Sequence, residues 1–273
     1  MSKKLIVVAD DFGFSEAYSL GALKAYKEGI VTVLSLMSNM DAAEFAVNLA
    51  KKEAPEACLA QHTNFVQGKP VAKDVPSMTD EYGYLYRSSQ WAPSEEKGWS
   101  PNSALGSKLK GTVVVSYEDI YKETMAQLNR FKELTGDYPI HFEGHSVGTP
   151  DIKKAFRTIG KELGIHNMYQ EAEDDKMYYA HELALSNSKY IEILHTGFTA
   201  EDFMADVCGI LSSPYEYNVL HFHPGYLDAY VIDNTSLTIP RVRDLQTLTD
   251  PRVKQWLKDN DVELVDFSAV YKK

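Results

Sequence analysis

Residues 5–15 read LIVVADDFGFS, and this stretch decides the class of fold. Leu5–Ala9 is a continuous apolar run, which is typical of a strand buried on both faces of a parallel sheet. Asp10 and Asp11 follow where the strand ends, and no GxGxxG motif occurs there, so a dinucleotide-binding sheet lacks its main support. Adjacent carboxylates at a strand end are expected to point in roughly opposite directions, which would let one ligate a cation while the other handles a proton.

Short apolar runs alternate with amphipathic segments along the chain, and this rhythm predicts an α/β fold with a mostly parallel sheet. Ser15, Ser116 and Thr149 are each placed to cap the start of a helix. Gly136 and Gly164 are placed to end two of those helices.

Polar residues collect at the ends of the predicted strands. Four histidines share this position, namely His62, His141, His145 and His223. Because active sites of (β/α) barrels lie at the carboxyl ends of the strands, we predict a single TIM-barrel-like domain spanning residues 1–273. A long inserted loop at about 70–115, rich in Tyr, Trp, Ser, Pro and Gly, is interpreted as a functional loop or lid.

Composition limits the partners and the compartment. Lys and Arg total 28 against 39 Asp and Glu, and the formal net charge of −11 argues against nucleic acid or an anionic membrane as the main partner. The two cysteines, Cys58 and Cys208, supply no disulfide framework. No segment reaches ~18 consecutive apolar residues, and residues 1–11 lack a signal peptide's apolar region and cleavage site, so we expect a soluble, cytoplasmic protein.

Metal-dependent hydrolysis is the chemistry that this set of residues favours. A carboxylate and two imidazoles, with open positions for water, commonly hold a hydrolytic divalent ion. The segment HFEGH (141–145) does not match the helical HExxH zinc motif, and no G-x-S-x-G elbow supports a serine hydrolase. Structural explanations stay open, since an aspartate can cap a turn and a histidine ending a buried strand is often a core residue.

Several stretches occur in an order that is typical of one family. They are LIVVADDFGFS (5–15), GIVTVLSLMSNM (29–40), AQHTNFVQGKPV (60–71), HFEGHS (141–146), HPGYLD (223–228) and TDPRVKQWLKDNDVELVDF (249–267). Together they resemble the YdjC-like carbohydrate deacetylases, which include chito-oligosaccharide deacetylases. The resemblance covers most of the chain and fails mainly between Val71 and Val115.

The resemblance implies metal-dependent removal of acetyl groups from N-acetylated mono- or oligosaccharides, with or without a phosphate group. Asp11, His62 and His145 would hold one divalent ion, Mg²⁺ or Zn²⁺. Asp10 would be the catalytic base, and His223 would donate a proton to the leaving group. The family's fold is a distorted (β/α) barrel, and its members are usually homodimers.

Two positions depart from the family pattern. Glu143 stands where relatives usually have aspartate, and its longer side chain could bring the carboxylate into or out of contact with the metal. Val147 stands where relatives usually have histidine, which removes a contact to substrate or to a ligand. Two alternatives therefore stay open, a catalytically silent sugar-binding or regulatory barrel protein and a different metal hydrolase such as a phosphoesterase. The net charge of −11 disfavours strongly anionic substrates.

Three further residues are candidates for positioning or substrate binding. Arg241 would orient Asp10, because a nearby cation keeps a carboxylate ionised, unless it is an arginine of the solvated surface. Trp91 and Trp99 lie in the inserted loop and would stack on the faces of sugar rings. The loop's aromatic residues could equally form a local core or a dimer interface.

Overall fold

Eight parallel strands form one sheet in this computed structural model, which describes residues 2–92, 111–173, 177–179, 192–193 and 195–271. The strands are β1 (Lys3–Phe12), β2 (Val33–Leu36), β3 (Cys58–Thr63), β4 (His141–Gly144), β5 (His166–Asn167), β6 (Met177–Tyr179), β7 (Tyr217–Phe222) and β8 (Val262–Leu264). Their order is β5-β4-β3-β2-β1-β7-β6, and β8 pairs with the start of β1 beside β2. The predicted α/β class and parallel sheet are confirmed.

The predicted TIM-like closure is not confirmed. Within the described part of the chain, β5 and β6 end the strand order and do not pair with each other. They span only two and three residues, so neither offers a long edge to a partner. Alternating strands and helices with polar strand ends occur in open and closed parallel sheets alike, so the sequence pattern could not separate the two.

Strand β1 is buried on both faces, as its apolar run predicts. Ile6 and Val8 face a cluster that contains Phe267 and Tyr271 from the end of the chain. Leu5 and Val7 face the larger core beneath the helices. Because side chains alternate along a strand, the face that carries Ile6 and Val8 also carries the residue at position 10.

Nine α-helices lie within the described residues. They are α1 (Glu16–Glu28), α2 (Ala43–Glu53), α3 (Tyr117–Thr135), α4 (Pro150–Leu163), α5 (Met168–Glu173), α6 (Ala200–Met204), α7 (Ala229–Asn234), α8 (Ile239–Leu248) and α9 (Pro251–Asp259). The predicted caps are confirmed: the side chains of Ser15, Ser116 and Thr149 each accept a backbone N–H of the first turn. Gly136 and Gly164 end α3 and α4 in the left-handed conformation. None of the helices described has the length and apolar character that crossing a membrane requires.

The described part of the inserted loop packs on α3 and α4 through its own apolar cluster. Trp91 is only 2% exposed and lies in this cluster with Phe65 and Phe156. Its indole Nε1 donates to the carbonyl of Tyr86 at 3.2 Å. This burial contradicts the predicted sugar-stacking role of Trp91 and supports the alternative of a local core. Trp99 lies outside the described residues.

A buried carboxylate ties this loop to α3. Glu123 accepts the backbone N–H groups of Val71 at 3.0 Å and Ala72 at 2.8 Å, and the side-chain amide of Gln127 donates to it at 2.7 Å. Replacing Glu123 with alanine leaves these donors without their acceptor. We expect the free energy of unfolding to fall by about 1–3 kcal/mol, measured by urea denaturation. Glu133→Ala, an exposed position on the same helix, is the control, and equal losses in both variants would contradict the tether.

Candidate active site

A bulge at the end of β1 aims both aspartates into one site. The pairing of β1 with β2 shifts register between Ala9 and Phe12, and Asp11 has a positive φ of 61°. A bulge of this kind re-aims a side chain that regular alternation would send to the other face. The expectation that the two carboxylates diverge is therefore wrong. Asp10 and Asp11 are both buried at the carboxyl edge of the sheet.

Asp11, His62 and His145 converge as the resemblance implies. Asp11 Oδ1 lies 3.2 Å from His62 Nε2 and 3.0 Å from His145 Nδ1. The two ring nitrogens are 3.1 Å apart. Asp11 Oδ1 is buried and no hydrogen bond is assigned to it, although two ring nitrogens lie next to it, which suits an ion shared by all three atoms. Ligand atoms bound at about 2 Å to one ion lie roughly 3 Å from each other, so the three residues fit a divalent metal ion.

Arg241 contacts Asp11 and not Asp10. Its Nη2 donates to Asp11 Oδ2 at 2.7 Å, and its guanidinium lies 4.8 Å from the ring centre of Tyr18. The side chain is 2% exposed, which excludes a solvated surface position. Burial by itself raises the pKa of Asp11, but the charges of His145 and Arg241 outweigh it and hold this pKa well below its usual range. Arg241 therefore keeps the Asp11 carboxylate ionised.

Replacing Arg241 with methionine removes one partner of a buried ion pair. We expect the free energy of unfolding of the metal-stripped protein to fall by about 3–5 kcal/mol at pH 7, since the Asp11 charge is then left buried and uncompensated. A carboxyl with a lowered pKa stabilises the fold above its ordinary pKa of about 3.9, and this contribution is lost as the pH falls further. The difference between the two proteins is therefore expected to shrink below about pH 4.

Urea denaturation at several pH values measures this difference. Arg243→Met is the matched control, because Arg243 is exposed on the same helix and donates to Gln246. Its expected change is within about 0.5 kcal/mol. An Arg241→Met protein as stable as wild type at pH 7 would contradict the role of the ion pair.

Asp10 lies outside the three-ligand group but beside it. Its Oδ1 is 3.2 Å from His221 Nδ1, and its Oδ2 is 3.9 Å from His223 Nε2. Burial raises the pKa of Asp10, and the charges of His62 and His221 oppose this rise only in part. A carboxylate with a raised pKa is a stronger base, so the surroundings of Asp10 suit proton abstraction.

His223 lies at the mouth of the site, where 30% of its side chain is exposed. Its backbone N–H donates to Asp244 Oδ2 at 2.8 Å, which fixes the turn after β7. Burial lowers the pKa of His223 below its usual range, and the positive charge of Arg241 lowers it further, although Asp11 opposes both. A neutral His223 must take up a proton before it can donate one.

The structure adds Ser35 and His221, which the sequence did not single out, and places Glu143 with them beneath the site. Ser35, Glu143 and His221 form a buried layer against His62 and Asp10. Glu143 contacts the Nδ1 side of the His62 ring, away from the three-ligand group, so its extra methylene has not brought it into that group. A signal was present, because His221 lies near the end of β7 and His223 directly follows that strand, and residues two apart along an extended chain share a face.

Comparisons with known proteins agree on one family. The profile of the YdjC-like protein family matches residues 4–259. Carbohydrate deacetylase 2 of Listeria innocua is 30% identical over 273 residues, covering 99% of this chain and 100% of that protein. Chitooligosaccharide deacetylase of Serratia marcescens is 26% identical over 274 residues, covering 98% and 99%.

A crystal structure from Enterococcus faecalis V583, described by a proposed role in cellobiose-phosphate cleavage, shares the fold. The TM-score is 0.77 at 22% identity, and the match covers 99% of both chains. With the family profile extending over nearly the whole chain, this protein belongs to the YdjC-like family.

Proposed function

We propose that this protein removes acetyl groups from N-acetylated sugars or oligosaccharides with the help of one divalent metal ion, Mg²⁺ or Zn²⁺. One observation carries the proposal. The β1 bulge brings Asp11 into a group with His62 and His145, while Asp10 stays outside that group beside His221 and His223. Two adjacent carboxylates thus have different partners, as a metal ligand and a base require. The relatives named carbohydrate deacetylases support the reaction class.

Asp11, His62 and His145 would hold the ion, which when bound polarises the acetyl carbonyl and makes water more acidic. Asp10 takes a proton from the attacking water while the water oxygen bonds to the carbonyl carbon. His223, 3.9 Å from Asp10, accepts this proton and passes it to the nitrogen as the C–N bond breaks. The second proton of the water stays on the attacking oxygen, so acetic acid and the free amine leave, and the acid ionises in solution while the enzyme gains and loses no proton.

The neutral state of His223 suits this proton path. A neutral imidazole has an open ring nitrogen, and the lowered pKa of His223 makes its protonated form a strong acid toward the leaving nitrogen. Amines leave poorly without protonation, so cleavage of the C–N bond needs a group that delivers a proton to the nitrogen. His223 is therefore assigned as the proton carrier to the leaving nitrogen.

Two features of the site argue against the alternatives, a silent sugar-binding protein and a phosphoesterase. A silent sugar-binding protein has no use for a buried carboxylate that lies beside the three-ligand group and faces two histidines. A phosphoesterase needs cations toward the phosphate, and Arg241 is already engaged with Asp11 at 2.7 Å. Both observations favour deacetylation over these alternatives.

Acetate release tests the proposal. Metal-stripped protein is refilled separately with magnesium, zinc, manganese or cobalt and offered N-acetylglucosamine and its di- and trisaccharides. Release that requires the ion supports the proposal and ranks ions and chain lengths together. Protein that binds one ion per chain and releases no acetate from any of these sugars would overturn the proposed substrate class. Binding of the same sugars without release would favour the silent binder.

A further inference from the structure

Glu143 occupies the centre of the buried layer beneath the site. It lies on β4 and is 1% exposed. Its Oε1 accepts the hydroxyl of Ser35 at 2.5 Å and lies 3.5 Å from His62 Nδ1. Its Oε2 lies 3.4 Å from both His141 Nε2 and His221 Nδ1. One carboxylate thus faces three imidazole rings and a hydroxyl.

The contact with His62 bears on the metal group. An imidazole that ligates through Nε2 must carry its proton on Nδ1. His62 presents Nε2 to Asp11 and His145, and presents Nδ1 to Glu143. At 3.5 Å this contact is electrostatic and not a hydrogen bond, and a carboxylate that faces the second nitrogen favours this tautomer and makes the ligand more basic. The position of Glu143 therefore prepares His62 to bind a metal ion.

The contact with His221 bears on the base. His221 Nδ1 lies between Glu143 Oε2 at 3.4 Å and Asp10 Oδ1 at 3.2 Å. Both carboxylates contact the same ring nitrogen, so a displacement of Glu143 would also shift the ring beside Asp10. Glu143 itself does not reach the mouth of the site, because its side chain is almost wholly buried.

We propose that Glu143 is a positioning residue. It orients the metal ligand His62 by direct contact, and it positions the base Asp10 through His221. The inference rests on the proposed function and adds to it a residue that touches neither substrate nor metal. Ser35 has a supporting part, because its hydroxyl holds the Oε1 that faces His62.

Glu143→Gln tests the proposal, since it keeps the shape and removes the charge. Metal affinity is measured by calorimetry without substrate, and the ligand field by the visible spectrum of the cobalt-loaded protein. We expect metal affinity to fall ~10–100-fold, with an altered cobalt spectrum. In metal-saturated protein, kcat for acetate release is expected to fall while KM changes by less than about twofold, because Glu143 acts on the base and not on sugar binding.

Two further variants serve as a control and as a milder change at the same contact. Asp119 lies on α3, is also buried, and accepts the backbone N–H and the hydroxyl of Ser77. Asp119→Asn removes this carboxylate and is expected to leave metal affinity unchanged. Ser35→Ala removes only the hydroxyl on Oε1 and is expected to weaken metal binding by a smaller factor than Glu143→Gln. If Glu143→Gln does not fold by circular dichroism, an unchanged metal affinity in Ser35→Ala overturns the proposal.

Three outcomes would overturn the role of Glu143. Wild-type metal affinity and cobalt spectrum in Glu143→Gln would show that it does not orient His62. A higher KM with unchanged kcat would show that it acts on substrate binding. Asp10, Glu143 and His221 place ligand atoms within 4.8 Å of one another, so two ions per wild-type chain and one in Glu143→Gln would make Glu143 a ligand itself. Weakened metal binding without acetate release from wild type would instead refute the proposed function.

Discussion

His145→Ala protein is expected to release acetate at least ~1,000-fold more slowly than wild type. His145 supplies one of three converging ligand atoms, and its Nδ1 lies 3.0 Å from Asp11 Oδ1. A bound ion contributes several kcal/mol of transition-state stabilisation, and about 4 kcal/mol corresponds to ~1,000-fold in rate. Acetate release and metal content per chain are measured on the same preparation, and both are expected to fall together.

The matched control for this variant is His195→Ala. His195 is exposed and is not among the residues that converge on the site, so its replacement is expected to change neither quantity. His145 follows β4 and is itself partly exposed, and its loss is not expected to prevent folding. A folded His145→Ala protein with wild-type turnover would refute the assignment of the metal group.

Asp10→Asn protein is expected to keep its metal ion and lose ~10²–10⁴-fold in kcat. The amide has the shape of the carboxylate but cannot take the proton from water, and a positioned general base contributes this much to the rate. Asp10 lies outside the group formed by Asp11, His62 and His145, so metal affinity is expected to stay near that of wild type.

Metal content, calorimetric affinity and kcat together test the separation of the two aspartates. Loss of the ion in Asp10→Asn would make Asp10 a ligand, and near-wild-type kcat would give the base to another residue. Asp11→Asn is the paired variant. It is expected to weaken metal binding as well as turnover, because Asp11 Oδ1 is the carboxylate atom of the three-ligand group.

The fold class could be predicted because local signals agreed with the tertiary structure. The apolar run Leu5–Ala9 forms the centre of the buried strand β1, and Ser116 and Gly136 begin and end α3 as their capping patterns predict. Closure of the sheet could not be predicted, because it depends on whether the short strands β5 and β6 pair, and no local pattern expresses a contact between distant strands.

The burial of Trp91 shows the same limit. Its sequence surroundings of Tyr, Ser and Pro are compatible with an exposed sugar-binding ring and with a buried one. Trp91 is buried because it packs into one cluster with Phe65 and Phe156, which are distant from it in the sequence. Arg241 is a second case, because a positive charge near the end of the chain carries no local sign of which aspartate it meets.

By itself the sequence determined the parallel α/β class, the capped helices and the aspartates and histidines that end the strands, because apolar periodicity and capping are local properties. It also carried the motifs by which the family was identified. Only the tertiary structure decided how these side chains act. The β1 bulge turns Asp11 toward His62 and His145, and Glu143 reaches His62 and His221 from a third strand. Such contacts join residues far apart in the chain, so they exist only once the sheet has formed.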